Sequence, residues 1–157
     1  SLLYILQTCP VFFRAYNGKG GEVLLPVVGL GISLLGLLLE NEADLEKSRL
    51  KKENPDRPAM QGIYRLVRCP NYLGEMIFWT GVLAGGLDAL SGALQWIMAV
   101  CGYLLILMVM FNGASRLEKR QEDRYGADPE YRKYAQTVPI LLPWIPLYTL
   151  NKKKKGA

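Results

Sequence analysis

The residues best equipped for chemistry fall in one run, Arg65 to Glu75, which reads Arg-Leu-Val-Arg-Cys-Pro-Asn-Tyr-Leu-Gly-Glu. It lies where a charged block meets an apolar segment. A bilayer segment gains nothing from Arg68, Asn71 and Glu75 at its mouth unless they meet each other or a ligand. Arg65 and Arg68 stand three apart, while Arg116, Arg120 and Arg124 recur every four residues and share one helix face. Guanidinium groups converging beside a helix N-terminus suit a phosphate. Asp44, Asn71 and Glu75 suit sugar hydroxyls or an amide. The chemistry this implies is the binding of a nucleotide-like ligand, phosphates outermost and reactive end at membrane depth. Each residue also has a plainer role: Asn71 as an N-cap, Glu75 in an ion pair with Arg65 or Arg68, Asp44 on a solvated helix. Arg116, Arg120 and Arg124 interleave with Glu118, Glu122 and Asp123, and surface pairs of that kind are worth only ~0–1 kcal/mol each.

The elements that must position these residues follow from the segregation of the chain. Of 157 residues half are hydrophobic and 21% are charged, but apolar runs alternate with dense charged blocks, the pattern of a multi-span membrane protein rather than a soluble globule. Leu2 to Phe13 is apolar and too short to span. The stretch from Arg14 to Glu22 is a Gly-rich connector. Val23 to Leu39 predicts a membrane helix, with Pro26 in its first turn, and the following acidic/basic segment continues it until Asn54-Pro55. Asn71 is expected to cap a helix running to Gly86, and Asp88 to Gly92 to turn the chain. Ala93 to Asn112 is a second span. Arg116 to Tyr134 predicts a charged helix, a break at Gly126 to Pro129, then a short helix carrying Tyr131 and Tyr134. The run from Val138 to Leu150, with three prolines, Trp144 and Tyr148, is expected to lie at the membrane interface as an aromatic anchor.

Seventeen of the 19 lysines and arginines fall in residues 40–72, 114–137 and the tail. The positive-inside rule puts these three regions on one side of the membrane, where the two blocks form a charged cap. The net charge of +5 comes largely from Lys152 to Lys155, so contact with anionic lipid headgroups is expected and nucleic-acid binding is not. The chain contains no histidine, which excludes His acid/base chemistry, His-rich di-iron sites and His-ligated haem. Cys9, Cys69 and Cys101 lie in different segments without metal-ligand spacing, so neither a disulfide nor a metal site is expected. The first residue is Ser1, directly ahead of an apolar run, which reads as a processed chain or a fragment. The last four, Lys154-Lys155-Gly156-Ala157, resemble an endoplasmic-reticulum retrieval signal; the rival address is the mitochondrial inner membrane.

The run Arg65 to Glu75 resembles the Arg-His-Pro-Asn-Tyr-x-Gly-Glu signature of the steroid 5-alpha-reductase-like membrane proteins, in the branch called DUF1295. Upstream, Gly36, Glu40, Asp44, Arg49, Lys51 and Asn54-Pro55 follow that branch's helix end. Downstream, Leu117 to Arg120, Tyr125-Gly126, Pro129 to Tyr131, Tyr134 and Thr137 to Pro143 match its C-terminal pattern. The resemblance implies a helical membrane protein that binds NADPH under a cytosolic cap and passes hydride to a carbon–carbon double bond of a steroid or related lipid. It implies cofactor contacts from Asp44, Arg65, Arg68, Asn71, Tyr72 and Glu75, with Arg116 and Arg120 at phosphate or ribose. Two departures stand out. Cys69 replaces the signature His and offers no two-ended hydrogen-bonding ring. The family's helices that precede this part, and that carry the substrate-gripping carboxylate and tyrosine, lie outside the run from Ser1, which is expected to be a fragment, to be completed by a partner chain, or to keep the fold for structure only.

The expectation is therefore an all-α, polytopic transmembrane protein, with residues 1–150 as the reductase-like domain and 151–157 as a basic tail. Its first reading is an NADPH-dependent reductase acting on a steroid or other lipid. The second is a non-catalytic accessory subunit of a larger membrane complex, such as a mitochondrial respiratory one. The third, from a similar pattern in isoprenylcysteine methyltransferases, is an S-adenosylmethionine-dependent methyltransferase.

Overall fold

A computed structural model describes residues 2–17 and 23–151. Most of the Gly-rich connector and the four tail lysines, with the retrieval-like ending, lie outside the described residues. The described chain is helical and contains no strand. Its helices are α1 (Leu2–Tyr16), α2 (Leu24–Glu53), α3 (Pro70–Gly86), α4 (Ala93–Tyr125) and α5 (Pro129–Thr137), with short 3-10 turns at Gly62–Arg65 and Leu87–Ala89.

Local chemistry sets most of the ends. Pro26 falls in the first turn of α2, where no intrahelical bond is lost, and Lys51 and Lys52 occupy its last turn, opposite in sign to the helix C-terminus. Asn54-Pro55 then stops it. The Asp128 side chain accepts from the Glu130 N–H at 2.9 Å, capping α5, with Pro129 at the first helical position. One expectation is corrected here. Asn71 does not cap α3, because α3 begins at Pro70: proline, with φ fixed and no N–H to lose, takes the first helical position and draws Asn71 into the first turn.

The chain divides into two compact units, Ser1–Leu38 with Gly74–Val109, and Leu39–Leu73 with Met110–Ala157. They are called here the apolar and the polar unit. In the apolar unit α2 and α3 approach to backbone contact. A Cβ on Gly29 would collide with Gly81 and Gly85, and one on Gly36 with Gly74 and Phe78. Ser33 Oγ donates across the same seam to the Phe78 carbonyl at 3.0 Å. Small residues with one polar bond are how helices associate where lipid removes the hydrophobic drive. At the far end of α1, Arg14 pairs with Asp88 at 2.6 Å and Asn17 donates to the Ala89 carbonyl at 2.7 Å.

Helices α2 and α4 are long and apolar enough to cross a membrane, yet only 17% and 22% of their most apolar stretches are buried. A soluble core helix buries that stretch. Here Leu30, Leu34, Leu37, Leu104 and Met108 are all at least half exposed, as lipid-facing side chains are.

The polar unit is built on tyrosines. Tyr64 donates to the Ala43 carbonyl at 3.1 Å, and Tyr134 donates to the Tyr64 carbonyl at 2.7 Å. Tyr131 is fully buried. Lys51 donates to the Tyr125 hydroxyl at 2.8 Å and to the Arg57 carbonyl at 2.7 Å. The segment after α5 is more than an aromatic anchor. Ile140 and Leu141 are buried, and the Arg68 and Cys69 N–H groups donate to the Pro139 and Ile140 carbonyls, both at 2.9 Å. Trp144 alone of its aromatics stands far out, 82% exposed.

Candidate functional site

The polar unit encloses a cleft of about 860 Å³, within the range of small-molecule sites. Its charged lining residues are Arg68, Lys119 and Arg132 against Glu118, Glu122 and Asp123, with Gln136, Tyr148 and Asn151 among the neutral polar ones. The signs balance, which suits a ligand carrying both anionic groups and hydroxyls better than a bare anion.

Arg68 is the centre of this site. It is 2% exposed, and a guanidinium so far from water needs partners for its donors. One Nη donates to the Tyr148 carbonyl and lies 3.4 Å from a Glu118 oxygen. The other Glu118 oxygen accepts from the Leu150 N–H at 2.9 Å and from the Asn151 amide at 2.8 Å. Asn151 is fixed in turn by Ser115, whose hydroxyl donates to its side-chain oxygen at 2.8 Å. Arg68 Nε and the buried Tyr131 hydroxyl make no hydrogen bond of good geometry among the described residues, and the Arg68 side chain acts on the Tyr131 hydroxyl directly.

Burial dominates the titration of the surrounding groups. It pushes the Cys69 thiol up to about 12, although the Arg68 charge pulls the other way. It raises the Tyr64, Tyr134 and Tyr131 hydroxyls as well, with Arg68 offsetting part of the rise at the last two. At neutral pH these are neutral groups. Cys69, 1% exposed, is neither a thiolate nucleophile nor a substitute for an imidazolium.

Of the residues singled out from the sequence, Arg68 lines the cleft. The ring of Tyr72 lies against Gly113 of α4, where an added Cβ would stand 3.2 Å from it. Asn71, Tyr72 and Glu75 are half-buried, and Asp44, Arg65, Arg116 and Arg120 are exposed. None of these seven lines the cleft. The arginine stripe of α4 faces away from it, and the face carrying Glu118, Lys119, Glu122 and Asp123 takes its place. Glu118 was read as a surface partner. The signal for burial was present all the same, since Ile106, Met110 and Ala114 mark the buried stripe of α4 at intervals of four, and Glu118 is its next member.

All-helical architecture, two helices apolar enough to span a bilayer and a cleft built around a buried arginine define a helical membrane protein with a ligand-sized site. The chain belongs to the DUF1295 family: the sequence profile described as "Protein of unknown function (DUF1295)" matches residues 2–138. It is also similar to steroid 5-alpha-reductase DET2 of Arabidopsis thaliana, with 39% identity over 57 residues. That match covers 35% of this chain and 22% of the relative, so the chain spans much less than the relative's length. No solved structure matches it.

Proposed function

We propose that the protein is a membrane reductase that holds NADPH in the cleft of the polar unit and delivers hydride to a carbon–carbon double bond of a steroid or similar lipid. The observation that carries this reading is the buried Arg68, lining a cleft large enough for part of a dinucleotide. Arg68, Lys119 and Arg132 are assigned to the phosphates, and Glu118, Glu122 or Asp123 to ribose hydroxyls. Family membership and the partial match to a steroid 5-alpha-reductase support the reaction class. Asp44, Arg65, Asn71, Tyr72, Glu75, Arg116 and Arg120 enter through the family resemblance alone.

Bound NADPH would supply the hydride. The chain's part is to fix the phosphates and to keep water from the buried side of Arg68.

A second reading, a subunit that keeps the fold without turnover, has its own observation. Cys69 stands where the resembling signature has His, and its buried neutral thiol gives a cofactor no charged contact.

The test is titration of the purified chain in nanodiscs with NADPH and with S-adenosylmethionine. The reductase reading expects saturable NADPH binding, weakened about tenfold, or roughly 1.4 kcal/mol, by Lys119→Ala or Arg132→Ala. Both side chains lie at the polar surface, so neither variant threatens the fold. No NADPH binding, with recovery of the chain in a stable complex, favours the second reading. Saturable S-adenosylmethionine binding alone converts the assignment to a methyltransferase.

A further inference from the structure

The family match ends at residue 138, and beyond it the loop 142–147 lines no part of the cleft. Backbone bonds close this loop on itself. The Ile145 N–H donates to the Leu142 carbonyl at 3.2 Å, the Leu147 N–H to the Ile145 carbonyl at 2.7 Å and the Ile140 N–H to the Leu147 carbonyl at 2.8 Å. Pro143 and Pro146 fix φ at two of its positions. Its root is buried at Ile140 and Leu141, and the Arg68 and Cys69 N–H groups hold that root. At its tip Trp144 is 82% exposed, with Ile145 exposed beside it. The indole is thus displayed by a braced loop. A single exposed apolar side chain needs no explanation. An indole on a rigid mount is different, because tryptophan favours the membrane interface, where the ring meets hydrocarbon and the N–H stays wet.

The bonds at both ends of the segment set its depth. Cys69, at the loop's root, immediately precedes α3. At the other end the Ser115 hydroxyl donates to the Asn151 side-chain oxygen at 2.8 Å, and the Asn151 amide donates back to the Ser115 carbonyl at 3.0 Å. The apolar run of α4 from Ala93 to Asn112 has the length that crosses the hydrocarbon of a bilayer. Ser115 stands only about 4.5 Å further along the helix axis, at the level of the headgroups. Lys152 to Lys155 follow Asn151 directly, and no acidic residue occurs from Val138 to Ala157. Four ammonium groups therefore start from headgroup level with no carboxylate in the segment to offset them.

We propose that the loop 142–147 and the lysine run after Asn151 form a docking surface for an anionic phospholipid bilayer. The Trp144 indole lies in the interfacial layer and the lysines lie among the headgroups. This surface does not depend on a nucleotide in the cleft.

The test uses the full chain in nanodiscs. Trp79→Phe with Trp96→Phe leaves Trp144 as the one tryptophan. Phosphatidylcholine brominated in the upper part of its acyl chains is expected to quench the Trp144 fluorescence about twofold, with little quenching by aqueous iodide. If that double variant fails to fold, the fluorescence lost on Trp144→Ala in the otherwise unaltered chain gives the same reading. Spin-labelled phosphatidylserine should associate with the unaltered chain about threefold more strongly than spin-labelled phosphatidylcholine, and less so at high salt. Lys152→Gln, Lys153→Gln, Lys154→Gln and Lys155→Gln together should abolish that preference. Trp144 quenched by iodide and untouched by brominated lipid overturns the proposal and gives the loop to water or to a protein partner. A phosphatidylserine preference that survives the four substitutions overturns it as well. Neither readout involves NADPH, so this proposal and the reductase reading fail separately.

Discussion

At the scale of single residues the site is one buried charge and the groups that neutralise it. Arg68 and Glu118 are 2% and 8% exposed. Removing one member of such a pair strands the other charge and costs about 3–5 kcal/mol, whereas replacing both with apolar side chains is often near neutral. Glu118→Ala is therefore expected to destabilise the polar unit by about that amount in urea unfolding of the detergent-solubilised chain. Arg68→Met with Glu118→Leu should recover most of the loss. A single-variant cost below about 1 kcal/mol would show that the pair is solvated. Cys69 gives a pH signature. Burial holds its folded pKa at about 12, above the ordinary thiol value of 9.0, so the stability it lends is complete below pH 9 and is lost as pH rises towards 12. The raised tyrosines Tyr64 and Tyr134 act in the same direction from their ordinary value of 10.0 upward. The urea midpoint should stay flat from pH 7 to about 9 and then fall, and Cys69→Ala should delay the fall. Arg68 was legible in the sequence because a charge beside an apolar helix demands a partner. Its partners were not, because the Tyr148 carbonyl reaches Arg68, and the Leu150 N–H and Asn151 side chain hold Glu118, through the path of the chain after α5, which no side-chain pattern encodes.

At the scale of elements the helices were legible and their ends less so. The length of α2, its proline in the first turn and its stop at Asn54-Pro55 all follow from local rules. The start of α3 did not follow, since the rigid Pro70 took the first helical position and drew the expected cap, Asn71, into the helix. Nor does an apolar run followed by a charged run announce whether one helix or two will form. The run from Ala93 to Tyr125 is one helix because no proline separates Asn112 from Arg116, and the lone Gly113 costs a helix only about 1 kcal/mol. The seam between α2 and α3 depends on which glycines face it. Gly29 and Gly36 are in backbone contact, whereas Gly31 on another side of the same helix has nothing within 4 Å of an added Cβ. Gly36→Ala should therefore lower the apolar unit's stability by about 1–3 kcal/mol through overpacking. Gly31→Ala should be neutral or stabilising by up to about 1 kcal/mol through helix propensity. Thermal unfolding in detergent decides the matter, and equal effects at the two positions would refute the packing of this seam.

For the whole molecule the deciding quantity is the apolar surface. Exposed leucines and valines run along α2 from Leu24 to Leu38, and along α4 from Leu94 to Val109. Water would not tolerate a patch of that extent on a monomer, so the surface is covered by lipid or by other apolar helices. The two cases separate by extraction. Alkaline carbonate strips proteins held by charge or by polar contacts and leaves those held by burial in the bilayer, so the chain should stay in the membrane pellet and be released by detergent. The alkaline step also tests whether the units respond independently. At pH 11 the polar unit has lost most of the support of its neutral Cys69, while α2 and α4 keep their apolar lengths. The expected result is a chain that remains membrane-bound while its polar unit becomes sensitive to protease. Release into the carbonate supernatant would mean that the apolar faces are held by a partner rather than by lipid. Retention with the polar unit still protected would mean that the buried arginine site is more stable to alkali than the thiol beside it allows.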